Sequence, residues 1–199
     1  MTTSVRVRRR RVGASLLCLL LVAAAVFVTA AVLRPETRHL LPGEGTVGGE
    51  GEIAVGERIS VRDTGHPALA NLDPALLDAV QRAAAAAEAE GVEVVVTSGW
   101  RAPEYQARLL SEAIRDYGSE AEARRWVATP DTSLHVSGDA IDIGDFDATY
   151  WFSLHGAAYG LCQTYANERW HFELHPEAVT AGCPEPYLDP THDPRIAGG

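Results

Sequence analysis

The segment Ser133-Leu134-His135-Val136-Ser137-Gly138-Asp139-Ala140-Ile141-Asp142-Ile143 decides how the rest of this chain is read. Gly138 permits a sharp turn, after which residues 140–143 read as a short buried strand. Asp142 stands in that strand between Ile141 and Ile143. A carboxylate there is costly unless a cation or strong donors meet it. His135 precedes it by one turn of chain, and an imidazole with a carboxylate suits zinc. The rival reading is a carboxylate that merely satisfies backbone donors. A second segment, Glu168-Arg169-Trp170-His171, repeats the pairing of acid and imidazole. Positions i and i+3 of a strand face opposite sides, so Glu168 can join His171 only from the turn ahead of the strand. Asn167 makes a turn there. Each pairing is common by chance when taken singly.

Around these segments the element signals are local. Asp73-Pro74 combines an N-cap with proline at the first helical position, and Gly91 supplies the stop. Leu76, Val80, Ala83, Ala84 and Ala87 are the apolar stripe of that helix. Val92, Val94, Val95 and Val96 make a short strand ending at Thr97-Ser98-Gly99. Pro103 opens a helix that stops at Gly118 and turns Leu109, Leu110, Ala113, Ile114 and Tyr117 inward. Ser119 and Glu122 form a capping box for a third. Asp147 caps a helix ending near Gly160, and residues 161–165 and 169–174 form a final hairpin. Helices precede and interrupt strands without regular alternation, which predicts an α+β domain and not a doubly wound one.

Of the 199 residues 17 are basic, every one of them arginine, against 27 acidic residues and a net charge of −10. Without lysine, Ser-x-x-Lys acyl-enzymes, P-loop hydrolases and pyridoxal Schiff-base enzymes are excluded. No His-Glu-x-x-His and no Gly-x-Ser-x-Gly occurs either. Arg6, Arg8, Arg9, Arg10 and Arg11 precede an uncharged run over residues 12–33, and the first acid is Glu36. At about 1.5 Å per helical residue the run spans roughly 33 Å, close to the ~30 Å core of a bilayer. The arginines would hold its start in the cytoplasm. Residues 1–33 therefore read as a basic stub with a transmembrane signal anchor. The alternative is a cleaved secretory signal ending near Val28-Thr29-Ala30; a buried core helix fits the long, uniformly apolar run poorly.

Both favoured readings place the domain outside the cytoplasm, at the cell membrane or secreted. Beyond residue 33, twelve arginines face the 27 acids, so the exported part carries −15, which argues against a nucleic-acid partner. Export also makes Cys162 and Cys183 a disulfide pair, with two buried free thiols as the alternative, while Cys18 lies in the apolar run. Residues 34–57 are a linker, Gly- and Glu-rich over 43–57. Residues 58–190 are the folded domain and residues 191–199 a tail, the proline-rich stretch from 184 onward running extended over the surface.

Taken together, Ser98-Gly99-Trp100-Arg101, then Ser133-x-His135-x-x-Gly138-x-Ala140-x-Asp142, then Glu168-x-Trp170-His171 resemble the D-alanyl-D-alanine carboxypeptidases. These group with the vancomycin-resistance D,D-peptidases among zinc peptidases that share the Hedgehog signalling-domain fold. The resemblance covers roughly residues 66–175. It implies a small, mostly antiparallel sheet with flanking helices and one zinc ion held by His135, Asp142 and His171. By the same resemblance Glu168 is the general base, and Arg101 steadies the developing oxyanion or grips the substrate's terminal carboxylate. Ser133 and Gln106 are substrate contacts by that comparison, and Trp100 and Trp170 wall the pocket unless they belong to the core. The chain departs from the usual pattern at Arg169, where proline is common, at Asp131, where glycine is frequent, and at Leu134, usually polar. His39, His66, His155, His175 and His192 lack a second donor at ligand spacing.

The expected activity is removal of the terminal D-Ala from D-Ala-D-Ala stem peptides of peptidoglycan. L,D-carboxypeptidase and D,D-dipeptidase action are rivals within the class, and a non-catalytic zinc-containing wall-binding module is the rival outside it. Such a module has no need of Glu168.

Overall fold

The computed structural model describes residues 49–196. The expected membrane segment, the basic stub and Cys18 lie outside those residues. Among the described residues no helix is long and apolar enough to cross a membrane.

Helix formation follows the caps. The Asp73 carboxylate accepts from the backbone N–H groups of Ala75 and Leu76 and starts α2 (Pro74–Ala89), after a single-turn α1 (Pro67–Ala70). α3 (Pro103–Tyr117) opens on proline and closes on Gly118 in the left-handed region. Ser119 then accepts from Glu122 N–H at the start of α4 (Glu120–Ala123). Tyr117, expected inward, is exposed and stacks on Trp126 with ring centroids 6.0 Å apart. α3 buries only one side, through Gln106 and Ala113.

Strands β1 (Ile59–Ser60), β2 (Val95–Ser98), β3 (Ala140–Ile143), β4 (Leu161–Gln163) and β5 (His171–Leu174) form one sheet in the order β1-β2-β3-β5-β4. Every neighbouring pair is antiparallel. The architecture is thus the expected α+β with a small antiparallel sheet and helices around it. β2 begins at Val95 rather than Val92, and the final hairpin pairs fewer residues than its sequence pattern suggests. α5 (Leu134–Ser137) leads into β3, and α6 (Phe146–His155) follows it with Asp145, not Asp147, at its N-cap. A 3-10 turn at Gly156–Tyr159 separates α6 from β4, and α7 (Ala178–Ala181) follows β5.

The core lies on one face of the sheet. Ile141, Ile143 and Phe172 point into it and meet Leu76, Val80 and Ala84 of α2 and Phe152 of α6. Cys162 of β4 is joined to Cys183 by a disulfide, as expected. In the chain-entropy account a loop of this size contributes ~3 kcal/mol.

The ends of the domain differ from the sequence reading. Glu50 lies within the expected linker, yet its carbonyl accepts from Ala102 N–H at 2.9 Å and its carboxylate pairs with Arg108 at 2.6 Å. At the other end residues 184–188 run largely exposed as expected, but Asp189, Pro190, Asp193 and Ile196 are buried, so the segment from 189 onward is not a surface tail. There Pro190 and Pro194 lie in turns, and the aspartates ahead of them cap those turns. The Asp189 side chain accepts from Thr191 N–H, and that of Asp193 accepts from Arg195 N–H.

Candidate metal centre

The opposite sheet face carries the charged residues. Pairing sets Asp142 directly across from His171 on one side and Ser98 on the other, an irregularity between Val96 and Ser98 shifting the register of β2. Because side chains alternate, Asp142 and His171 share one face while Ile141 and Phe172 share the other. His135 arrives from α5, whose C-cap Gly138 has φ +86°. A side chain at Gly138 would meet the Asn71 carbonyl at 2.5 Å, so both the turn and the packing demand glycine. Glu168 sits in the turn before β5, where His171 N–H donates to its carbonyl at 3.1 Å. That placement satisfies the condition set by strand periodicity. Asn167 braces the turn by donating from its side chain to the Arg125 carbonyl at 2.8 Å, in a chain that lacks the proline usual after the glutamate. Arg169, which stands in that proline's place, is exposed and lies over the Phe146 ring.

Three buried atoms converge. His135 Nε2 and His171 Nδ1 are 3.2 Å apart, and each lies 3.4 Å from Asp142 Oδ1. Zinc bonds of about 2.0–2.2 Å in tetrahedral geometry require donors about 3.3–3.6 Å apart. The triangle therefore fits a zinc ion. Asp142 Oδ1 is buried and makes no hydrogen bond, which is the cost a bound cation would remove. Both imidazoles are held with the right nitrogen inward. His135 Nδ1 donates to the Gly99 carbonyl at 2.8 Å, which leaves Nε2 with its lone pair toward the centre. His171 Nε2 donates to Glu173 Oε1 at 3.2 Å and leaves Nδ1 to face the centre.

Electrostatics at the site follow from burial opposed by partners. Burial alone would raise Asp142, but His135, His171 and Arg101 outweigh it and hold the carboxylate well below its usual range. Burial and the nearby Arg101 push His135 down. For His171 burial is outweighed by Asp142, Glu173 and Glu168, which lift it to about 10. Glu168 is pushed up to about 7, chiefly by burial, and its Oε1 has no hydrogen-bond partner. A carboxylate poised there, with Oε2 3.8 Å from His171 Nδ1, can accept a proton near neutral pH.

The remaining expected residues separate into two groups. Arg101 donates from Nε to Ser98 Oγ at 2.8 Å, from Nη1 to Gln106 Oε1 at 3.0 Å and from Nη2 to Asp142 Oδ2 at 2.9 Å. It is therefore tied to a metal-ligand candidate as well as facing the cleft. Gln106 is fully buried and donates to the Ala128 carbonyl, so it orients Arg101. Ser133 lines the cleft, and as the N-cap of α5 it makes no side-chain capping bond. Trp100 does not line the cleft; it packs against the core and beside Gly51. Trp170 does line it, together with Trp126. The cleft holds about 230 Å³ and opens directly onto His135, Asp142, Glu168 and His171.

Glu173 escaped the sequence reading, although its place two residues after His171 put it on the same strand face. Arg195 and Tyr165 also escaped, and nothing local points to them. Of the other histidines among the described residues, His66 accepts from Ala68 N–H at a helix start and His155 stacks on Trp151.

Two histidines, an aspartate and a neighbouring free-standing glutamate at the foot of a cleft define a mononuclear metal-hydrolase type of site. Residues 69–177 match the VanY family, described as D-alanyl-D-alanine carboxypeptidase, and the chain belongs to that family. A D-alanyl-D-alanine carboxypeptidase of Enterococcus faecalis is 29% identical over 146 residues, 61% of this chain and half the length of that relative. Among solved structures, a single-residue mutant of the vancomycin-resistance D,D-pentapeptidase VanY, in complex with Zn(II), superposes with a TM-score of 0.51 at 26% identity, over 56% of this chain and 75% of that one. VanYB in complex with D-alanine-D-alanine shares the fold, with a TM-score of 0.52 at 24% identity over 71% of this chain and 83% of that one.

Proposed function

We propose that this chain is an exported zinc D,D-carboxypeptidase that removes the terminal D-Ala from D-Ala-D-Ala stem peptides of peptidoglycan. The observation that carries the reading is the orphaned Asp142 Oδ1 at the apex of a donor triangle of zinc dimensions, with Glu168, whose Oε1 makes no hydrogen bond among the described residues, beside it. His135, Asp142 and His171 would hold the ion. Zinc, when bound, supplies a Lewis acid that polarises a carbonyl and acidifies water. Glu168 takes the proton of the attacking water on its carboxylate and later delivers it to the leaving amine of D-Ala. Arg101, fixed by Ser98, Gln106 and Asp142, presents its charge where an oxyanion develops or where the substrate's terminal carboxylate docks. Ser133 is a further substrate contact at the cleft wall. The D-alanyl-D-alanine carboxypeptidase of Enterococcus faecalis and the D-alanine-D-alanine in the VanYB structure support this choice of substrate. The apolar run over residues 12–33 would tether the domain to the outer side of the membrane, unless it is cleaved as a secretory signal.

The test is to measure bound zinc and the release of free D-Ala from a synthetic stem pentapeptide. Glu168→Gln should retain zinc and lose release by on the order of 10²–10⁴-fold. Release that persists unchanged in that variant sinks the mechanism. A tetrapeptide assayed in parallel separates this activity from L,D-carboxypeptidase action, and released D-Ala-D-Ala would identify a dipeptidase.

A further inference from the structure

The C-terminal segment closes a ring of contacts around one metal-ligand candidate. His171 Nε2 donates to Glu173 Oε1, and Arg195 holds the Glu173 carboxylate by both oxygens, from Nη1 at 2.8 Å and from Nη2 at 3.3 Å. The same guanidinium donates from Nε to both oxygens of Asp193 at 2.9 and 3.0 Å. Asp193 Oδ2 in turn accepts from the Tyr165 hydroxyl at 3.1 Å, and the Tyr165 ring lies against the His171 ring with centroids 5.0 Å apart. The circuit thus returns to the imidazole where it began. Glu173 and Asp193 are buried, whereas Arg195 is partly exposed and belongs to the segment whose Pro190 and Ile196 line the cleft.

An imidazole in a metal site must keep its ring plane and its tautomer fixed, and a carboxylate on its far nitrogen does this only if the carboxylate is itself held. Besides His171, the Glu173 carboxylate meets His175 Nε2 at 3.8 Å and, more closely, Arg195. Arg195, which grips both of its oxygens, comes from 22 residues further along the chain. We propose that residues 189–196 are a clamp belonging to the metal centre, in which Arg195 positions Glu173 and Glu173 positions His171 for zinc. Asp193 and Tyr165 orient Arg195. The inference rests on the zinc reading of the site and assigns positioning roles to groups outside the ligand set His135, Asp142 and His171.

The test measures zinc dissociation by chelator competition and the visible spectrum of the cobalt(II)-substituted protein, in the full chain. Arg195→Met should weaken zinc binding roughly 10- to 100-fold, with Arg195→Lys recovering most of the loss. Arg195→Met strands two buried carboxylates and can unfold the domain. Glu173→Met avoids that, since Arg195 keeps Asp193, and it should weaken zinc by a similar factor and alter the cobalt spectrum in protein that circular dichroism shows to be folded. A purely structural role would lower the melting temperature and leave the affinity of folded protein unchanged. Zinc affinity and cobalt spectrum equal to wild type in folded Glu173→Met therefore overturn the clamp. A wild-type protein that binds no zinc at all is a separate failure, and it overturns the zinc reading on which the clamp depends.

Discussion

The two faces of β3 and β5 are buried to nearly the same degree and do opposite work. Ile141 and Phe172 on one face are fully buried, while Asp142 and His171 on the other are 6% and 4% exposed. Apolar side chains on the first face are stable in any mutual arrangement that packs. On the second, the carboxylates of Asp142 and Glu173, with Glu168 from the preceding turn, flank His171, and Arg101 pairs with Asp142 and Arg195 with Glu173. Low solvent exposure thus marks a core on one side and a site on the other, and unpartnered polar atoms tell them apart.

The two faces should respond to substitution in different observables. Glu168→Gln on the site face is expected to lose D-Ala release by the same 10²–10⁴-fold, on the order of a full general-base contribution, with no loss of melting temperature, because it removes a carboxylate that the fold keeps from ionising easily. Phe172→Ala on the core face should lower unfolding free energy by about 3–5 kcal/mol while folded protein keeps its zinc affinity. Denaturant titration with parallel zinc competition checks both halves of that statement; a joint loss would show that the faces are not separable. Reducing Cys162–Cys183 should cost ~3 kcal/mol of stability, read as a shifted denaturation midpoint.

The smallest effect lies in pH. In metal-free protein Glu168 sits at about 7 against 4.5 for an ordinary glutamate, so folding favours its protonated form. Its contribution therefore weakens stability progressively as pH rises from 4.5 through 7, and Glu168→Gln should remove that component of the slope. Glu173 has the opposite sign. Burial is outweighed there by His171 and Arg195, which hold it at about 2, so its stabilisation is present above 4.5 and is lost as pH falls toward 2. Melting temperatures of wild type, Glu168→Gln and Glu173→Gln across this range separate the two.

What the sequence disclosed was whatever is encoded locally. Gly138 and the acid inside an apolar strand singled out His135 and Asp142 as one pairing and Glu168 with His171 as another, but only the family resemblance joined them into one site. The caps at Asp73 and Ser119 were equally readable. Trp100 was misplaced because an aromatic beside a motif looks the same in the core or at a cleft. Tyr117 was misplaced because α3 buries a narrower stripe than its apolar residues suggest. The segment beyond residue 188 read as surface because prolines and aspartates dominate it, yet the aspartates are consumed by turns and by Arg195. Contacts between Arg195 and Glu173 depend on where two distant parts of the chain meet, and no local pattern records that.

Because Asp142 faces His171 across a single rung of the ladder, core and metal centre share one alignment. Sliding β5 by one residue would bring Phe172 to the metal side and drive His171 and Glu173 into the hydrocarbon interior. A misaligned sheet would forfeit the ion and bury bare charge at once. On the proposed zinc reading the centre would therefore work as a checksum on folding, accepting metal only from chains whose strands have been assembled correctly.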